Sequence, residues 1–434
     1  MTGSIAKRRG CSKSFSSHKG KFEPDSIMES ARIRTAIVGC GKVAHLHAAA
    51  LKALPASEFV AVCGSHPERR AAFAQKYGVK AYATIDDLLA AGVAEMITVA
   101  TPHPAHADAA TKAARAGLHV LVEKPLAVSL AHCDAILAAA RAGGGRLGMI
   151  CQRRFFEPCQ RIRRAIDEGK LGRPILGTVT MLGWRDAAYY RSDRWRGSWQ
   201  GESGGVLVNQ APHQLDLLLW YMGEVEELFG YWANLNHPTI EVEDTAVAVI
   251  RFKSGALGNI VVSNSQNPAL YGKVTVHGSN GVSVGVQTDG GAMFIAGMSN
   301  ITEPPLNDLW TVPGEENRLA QWRQEDTAHF NSINAVEHYH RLQINDFLTS
   351  ILNQRPPLIT GEQGRQTVEL FTGIYRATRD RCAIRFPLLP EVERYDSDGR
   401  ACSNLRDVVR KSPEEQTQGT NAATSIPESQ GQQF

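Results

Sequence analysis

No apolar run in this chain approaches the roughly 20 residues that cross a bilayer, so nothing in it reads as a membrane anchor. Charge of one sign is equally scarce. The 47 basic residues against 44 acidic ones leave a formal net charge of +3, too little to recruit nucleic acid or an anionic membrane. The eight cysteines, at positions 11, 40, 63, 133, 151, 159, 382 and 402, include no Cys-x-x-Cys pair. That argues against a zinc site or a disulfide framework, and for free thiols in a reducing cytoplasm. The early basic residues are not followed by an apolar core, so a secretory signal is not indicated either. What is present is an ordinary globular composition, 43% hydrophobic and 21% charged, over 434 residues, enough for two domains with cores of their own.

The pattern divides the chain into four parts. Residues 1–31, rich in Ser, Lys, Arg and Gly, and residues 396–434, rich in Gln, Ser and Thr, read as disordered tails. Residues 32–152 alternate short apolar runs with alanine-rich helical segments. The runs are Arg34–Val38, Phe59–Cys63, Met96–Ala100, Leu118–Val122 and Leu147–Cys151; the helices are Val43–Leu54, Pro67–Tyr77, Ile85–Ala90, Pro104–Ala116 and Leu130–Arg141. Repeated βαβ units imply a parallel sheet covered by helices on both faces, a Rossmann-type α/β domain. Residues 153–395 follow a different periodicity. There Glu243–Phe252 and Ala256–Ser263 alternate polar and apolar across a Lys253-Ser254-Gly255 turn, and Gly272–His277 is strand-like. This predicts a second α/β domain with a largely antiparallel open sheet. Amphipathic helices are expected over His338–Leu352 and Gly361–Arg379, the latter with a Thr360/Gln363 capping box.

Gly39-Cys40-Gly41-Lys42-Val43-Ala44 follows a strand and opens a helix, the context in which Gly-x-Gly-x-x-Ala binds a dinucleotide. The first glycine permits the turn, the second lets backbone amides approach a pyrophosphate, and Ala44 allows close helix packing. The slot about twenty residues on, where an acid would hold the NAD ribose, is Gly64. With Ser65, Arg69 and Arg70 beside it, the pattern favours NADP over NAD. Thr101, Pro102, His103 and His106 close the next strand edge and are given a binding role, although a loop shaped by two prolines accounts for them equally well.

Leu118–Val122 runs into Glu123-Lys124-Pro125. In a parallel sheet, ligands bind outside the carboxyl ends of the strands, so Glu123 and Lys124 are offered to the crevice that the glycine turn uses. An ammonium there can hydrogen-bond a reacting oxygen and stabilise its charge. Further on, Gly204–Asp216 places Asn209, His213 and Asp216 on one face if the segment is a single helix. His213 near a helix N-terminus would stay a neutral base. Trp184, Tyr190 and Arg196 belong to a stretch dense in aromatics and arginine, which suits a sugar-binding pocket or a structural interface.

These residues resemble the Gfo/Idh/MocA family, which includes glucose–fructose oxidoreductase and inositol dehydrogenase. The resemblance runs from about Arg32 to Leu388 and rests on Gly39–Ala44, on Ala116–Pro125 with its Glu-Lys-Pro ending, and on Gly205–Asp216. It implies NAD(P)-dependent hydride transfer to or from a hydroxyl or keto group of a sugar, sugar acid or cyclitol. It makes Lys124 and His213 catalytic; Asn209 would orient substrate or His213, Trp184, Tyr190 and Arg196 are expected at the substrate from their residue types, and no metal site is expected. It also implies a cis Lys124–Pro125 bond and a homo-oligomer formed through the C-terminal sheet. Two other outcomes fit the fold: cleavage of a glycosidic bond by transient oxidation on bound dinucleotide, or a non-catalytic dinucleotide sensor. Sugar and inositol dehydrogenases of the family commonly carry Asp where this chain has Asn209, and an amide cannot accept a proton as a base.

Overall fold

The computed structural model describes residues 32–270, 272–288 and 304–391; the tails expected at 1–31 and 396–434, and residues 392–395, lie outside them. Strands β1 (Ile33–Val38), β2 (Ser57–Cys63), β3 (Lys80–Tyr82), β4 (Met96–Val99), β5 (His119–Val122) and β6 (Leu147–Met149) form one sheet in the order β3-β2-β1-β4-β5-β6. Every neighbouring pair is parallel. The central strands are apolar, largely β-branched, and buried on both faces (Ala36, Ile37, Val38, Ile97, Val99), as a doubly wound sheet requires. The order reverses between β1 and β4, so a ligand crevice opens where Gly39 and Thr101 leave those strands.

Helices α1 (Lys42–Ala53), α2 (Pro67–Tyr77), α3 (Ile85–Ala90), α4 (His106–Arg115) and α5 (Leu130–Gly143) connect these strands. Local chemistry sets their ends: Thr84 and Asp87 form a capping box on α3, and Ser129 caps α5 through the His132 amide. One start differs from expectation. Pro104 lies in a short 3₁₀ turn, His103–Ala105, and α4 begins only at His106.

The second sheet is only partly legible in the sequence. After α6 (Glu157–Asp167) come β7 (Pro174–Leu182), α7 (Ala187–Arg191), α8 (Val206–Asn209), α9 (Pro212–Met222), β8 (Val225–Ala233), β9 (Thr245–Phe252) and β10 (Leu257–Ser263). Then follow β11 (Gly272–Gly278), β12 (Ser283–Gln287), β13 (Leu306–Trp310), α10 (Arg318–Ser332), α11 (Ala335–Leu352), α12 (Gly361–Asp380) and β14 (Ile384–Arg385). The strands order as β13-β12-β11-β7-β10-β9-β8-β14. Only β7 and β10 pair in parallel; the other neighbours are antiparallel.

Helices α6, α9 and α12 cover one face of this sheet. The other face leaves Tyr231 61% and Val249 59% exposed, beside Leu176, Val247 and Leu257. Helix α11 instead packs on α1, where Ile344, Phe347 and Leu348 join Ile37, Leu51 and Met96 in one core. A helix late in the sequence thus completes the first sheet's outer layer. Truncating the fully buried Phe347 to alanine would cost about 3–5 kcal/mol. The Thr360/Gln363 capping box forms as expected.

Candidate active site

At the switch point the glycine turn takes the conformation that its sequence demands. Gly39 has φ 117°, and a Cβ there would stand 2.4 Å from the Ala100 carbonyl oxygen, so only glycine fits between β1 and β4. Gly41 is the N-cap of α1 and brings no capping side chain; the space where its Cβ would project is open to 4 Å. Ala44 is fully buried in the core, while Lys42 is exposed and Val43 partly so. An open helix N-terminus at this sheet edge fits the pyrophosphate of a dinucleotide. The Thr101 hydroxyl, just past the end of β4, is buried and has no hydrogen-bond partner among the described residues.

Past β2, Ser65 and Arg69 are exposed and Arg70 donates to the Gly64 carbonyl at 2.5 Å. A Cβ on Gly64 would lie 2.7 Å from the Cys40 sulfur, so that sulfur occupies the room an acidic side chain would need. The histidines after β4 are engaged inward. Both ring nitrogens of His106 face carbonyls, Pro125 at 2.8 Å and Thr101 at 3.0 Å, tying two site loops together. His103 Nδ1 donates to the Glu202 carbonyl at 3.2 Å, and its ring packs against Trp195. Both rings thus make contacts within the protein that hold these loops, and Pro102 precedes the turn that presents them.

Glu123 and Lys124 part company at the end of β5. Glu123 turns inward, accepting from His47 Nε2 at 2.7 Å and from the Lys124 amide at 3.1 Å. Burial pushes its carboxyl up, but the His47 hydrogen bond and charge, with His340 and Lys124, outweigh it and hold it near 2. Both carboxyl oxygens of Glu123 are thus engaged, one by His47 and one by the turn's own backbone. Lys124, followed by a cis bond to Pro125, reaches across to the second domain: Nζ donates to the Asn209 carbonyl oxygen at 2.7 Å and to Asn209 Oδ1 at 3.0 Å. Burial drives its ammonium from the ordinary lysine value down to about 8, with Arg196 adding to the fall and Glu123 and Glu202 opposing it.

The expectation that Asn209, His213 and Asp216 share one continuous helix face fails. Helix α8 ends at Asn209, the chain breaks at Gln210 and Ala211, and α9 restarts with Pro212 in its first turn, where a missing N–H costs nothing. Asn209 thereby turns to Lys124, while Asp216 faces away and pairs bidentately with Arg154, both contacts at 2.7 Å and both residues buried. His213 is 8% exposed with Nδ1 unpartnered. Burial, followed by Arg153, Lys124 and His340, holds its imidazole well below the usual histidine range.

The aromatic and arginine stretch splits in two. Arg196 lies against the rings of Tyr189 and Trp195, at 4.3 and 4.5 Å, and donates to the Tyr189 hydroxyl at 2.5 Å. Tyr189 also accepts from Asn209 Nδ2 at 3.1 Å, so Arg196 belongs to the Lys124 cluster. Tyr190 is buried with its hydroxyl on Asn264 and its ring on His237. Trp184 lies beside the same histidine, its backbone bridging to Ser265. These two gather around His237, Tyr190 buried and Trp184 partly so. Sequence reasoning missed Tyr189, Gln210 and Glu202, of which Glu202 is 1% exposed and accepts from both Asn209 Nδ2 and Gly197 N. No spacing motif marks a carboxylate that acts from a loop.

Comparison with known proteins gives the same frame. The family model described as "Oxidoreductase family, NAD-binding Rossmann fold" matches residues 33–150, and the GFO/IDH/MocA C-terminal domain matches 159–284. Myo-inositol 2-dehydrogenase of Thermotoga maritima is 31% identical over 257 residues, 57% of this chain and 74% of that protein. Inositol 2-dehydrogenase of Rhizobium meliloti is 27% identical over 296 residues, 64% of this chain and 83% of that one. The WlbA dehydrogenase of Bordetella pertussis, solved with NADH and UDP-GlcNAcA, superposes with a TM-score of 0.73 at 31% identity, covering 83% of this chain and all of its own. Matched in both halves, and wound in the strand order that binds dinucleotides, this chain belongs to the GFO/IDH/MocA family of NAD-binding oxidoreductases.

Proposed function

We propose that the protein exchanges hydride at a carbinol carbon of a sugar, sugar acid or cyclitol, with Lys124 handling the hydroxyl proton. The observation that carries this reading is the Lys124 ammonium, half-buried at the switch-point crevice and held by Asn209 from the other domain. When bound, the nicotinamide dinucleotide supplies the redox chemistry. In the oxidative direction, neutral Lys124 accepts the hydroxyl proton; in the reductive direction its ammonium returns that proton to the carbonyl oxygen. His213, kept neutral, offers a hydrogen bond to the same oxygen, but its suppressed proton affinity makes it the weaker base. Asn209 holds the lysine in place.

Arg196, wedged between Tyr189 and Trp195, supports an anionic sugar, as does the sugar acid in the solved Bordetella relative. For the cofactor, the missing acid at Gly64 and the nearby Ser65, Arg69 and Arg70 support NADP(H); the NADH in that same relative favours NAD(H). The exposed apolar face around Tyr231, Val247 and Val249 supports a homo-oligomer through the second sheet, and the free described thiols support a cytoplasmic setting. Among the described residues no helix is long and apolar enough to cross a membrane. The test is a fluorescence titration with both dinucleotides, then a screen of sugars, nucleotide-linked sugar acids and cyclitols for a change in nicotinamide absorbance. Turnover by Lys124→Met at the normal rate would remove Lys124 from the mechanism.

A further inference from the structure

The Asn209 amide has two unlike ends. Lys124 carries only donors, so the amide must show it Oδ1, at 3.0 Å. That leaves Nδ2 pointing the other way, where Glu202 Oε1 and the Tyr189 hydroxyl receive it. Glu202 is 1% exposed, and its second oxygen accepts from the Gly197 amide at 2.6 Å. Its carbonyl holds His103 on the loop after β4, so one residue touches both sides of the crevice. The backbone is bent to place it: the next residue, Ser203, has φ 68°, a left-handed conformation that a non-glycine residue adopts at a cost. A buried acid, a strained neighbour and an amide locked between acid and lysine are three separate observations at one point.

We propose that Glu202 is a positioning residue for the reaction at Lys124, supplying through the Asn209 amide the negative charge that a carboxylate at position 209 would have placed beside the ammonium. The proposal rests on the role of Lys124 given above. Glu202 fixes which end of the amide faces the lysine; burial raises its carboxyl above the ordinary glutamate value, opposed by the Gly197 amide, Arg196, Asn209 and Lys124, and as the carboxylate it favours the protonated amine. The other groups facing Lys124 are Glu123, Arg196, Cys151, His103, His106 and His213. Of these only Glu123 is a carboxylate, and it is already committed to His47.

The test compares the full-length protein with Glu202→Gln, Asn209→Asp, the double variant and Lys124→Met, reading kcat and the pH profile of kcat/KM in the oxidative direction. Glu202→Gln should lower kcat by about 10- to 100-fold, the effect of stranding one buried donor, and move the inflection to lower pH. Dinucleotide affinity should stay normal. The double variant returns a carboxylate to the cluster and should recover most of kcat and move the inflection back. If Glu202→Gln does not fold, the double variant against Asn209→Asp makes the same comparison, and activity retained in the double variant is the expected result. A Glu202→Gln profile identical to the unmodified protein, or losses that simply multiply in the double variant, would overturn the proposal. Lys124→Met separates the two readings. Normal turnover there refutes the role of Lys124 itself; a dead Lys124→Met beside an unaffected Glu202→Gln refutes only that of Glu202.

Discussion

An ordinary lysine at pH 7 is neutral in about one molecule in 3,000, whereas a lysine near 8 is neutral in about one in ten. Lys124 is moved between those two situations by burial, against the pull of Glu123 and Glu202. The site therefore gains about 300-fold more free amine at neutral pH than an exposed lysine would offer. If that amine accepts the hydroxyl proton, kcat/KM for oxidation should rise with pH, reach half its maximum at about pH 8 and level off above it. Reduction should show the mirror image, falling as the ammonium is lost. Lys124→Met keeps the length and apolar bulk of the stem while removing the titrating group. It should cut kcat by about 10²–10⁴-fold, or about 3–5 kcal/mol of transition-state stabilisation, and abolish the inflection, with dinucleotide affinity little changed. The assay is initial rate against pH in constant-ionic-strength buffers, followed by nicotinamide absorbance. An inflection that persists in Lys124→Met would show that another group titrates, and His213→Asn would then be the variant to measure.

Arg154→Met would leave Asp216 buried without its bidentate partner, and should cost about 3–5 kcal/mol in denaturant unfolding; adding Asp216→Leu should restore most of that loss. Gly64→Asp would push against the Cys40 sulfur at 2.7 Å, so the clean test of cofactor choice is Gly64→Asp with Cys40→Ala. That double variant should lose NADPH affinity relative to NADH, and an unchanged ratio would place the 2′-phosphate elsewhere. Glu243 accepts from the Gly205 and Leu207 amides and from Tyr375, yet burial raises its carboxyl to about 7. A folded value above the ordinary one means its stabilising contribution is complete below pH ~4.5 and is lost as pH rises through ~7. Thermal unfolding should show that decline, and Glu243→Gln should flatten it.

Most of the first sheet is readable from sequence because its signals are local; β3 is the exception, three residues long with Lys80 and Ala81 exposed. Runs such as Ile33–Val38 are apolar enough to be buried on both faces, and the glycine turn must be glycine for a steric reason inside its own βα unit. The second domain is harder because its signals depend on partners far away in the chain. Helix α6 carries Arg161 on its buried side, paired with Asp326 at 2.6 and 2.8 Å, which breaks the apolar period. Strand β7 mixes glycine and threonine among its apolar residues and does not stand out from its surroundings. In the site, Lys124 is visible from its strand-end position and Asn209 from its motif. The break between α8 and α9 is not, since helical spacing alone gives no hint that Asp216 belongs to Arg154. Glu202 becomes visible only when the fold brings three loops together.

The most direct measurement of the central claim follows a labelled hydrogen. A substrate found in the screen is prepared with deuterium at its carbinol carbon, and the dinucleotide is analysed by mass spectrometry after a single turnover. The account predicts a single deuterium in the reduced dinucleotide, formed by the unmodified protein and lost in Lys124→Met. Release of the label to water, or cleavage of a glycosidic bond with the dinucleotide returned to its starting redox state, would contradict it.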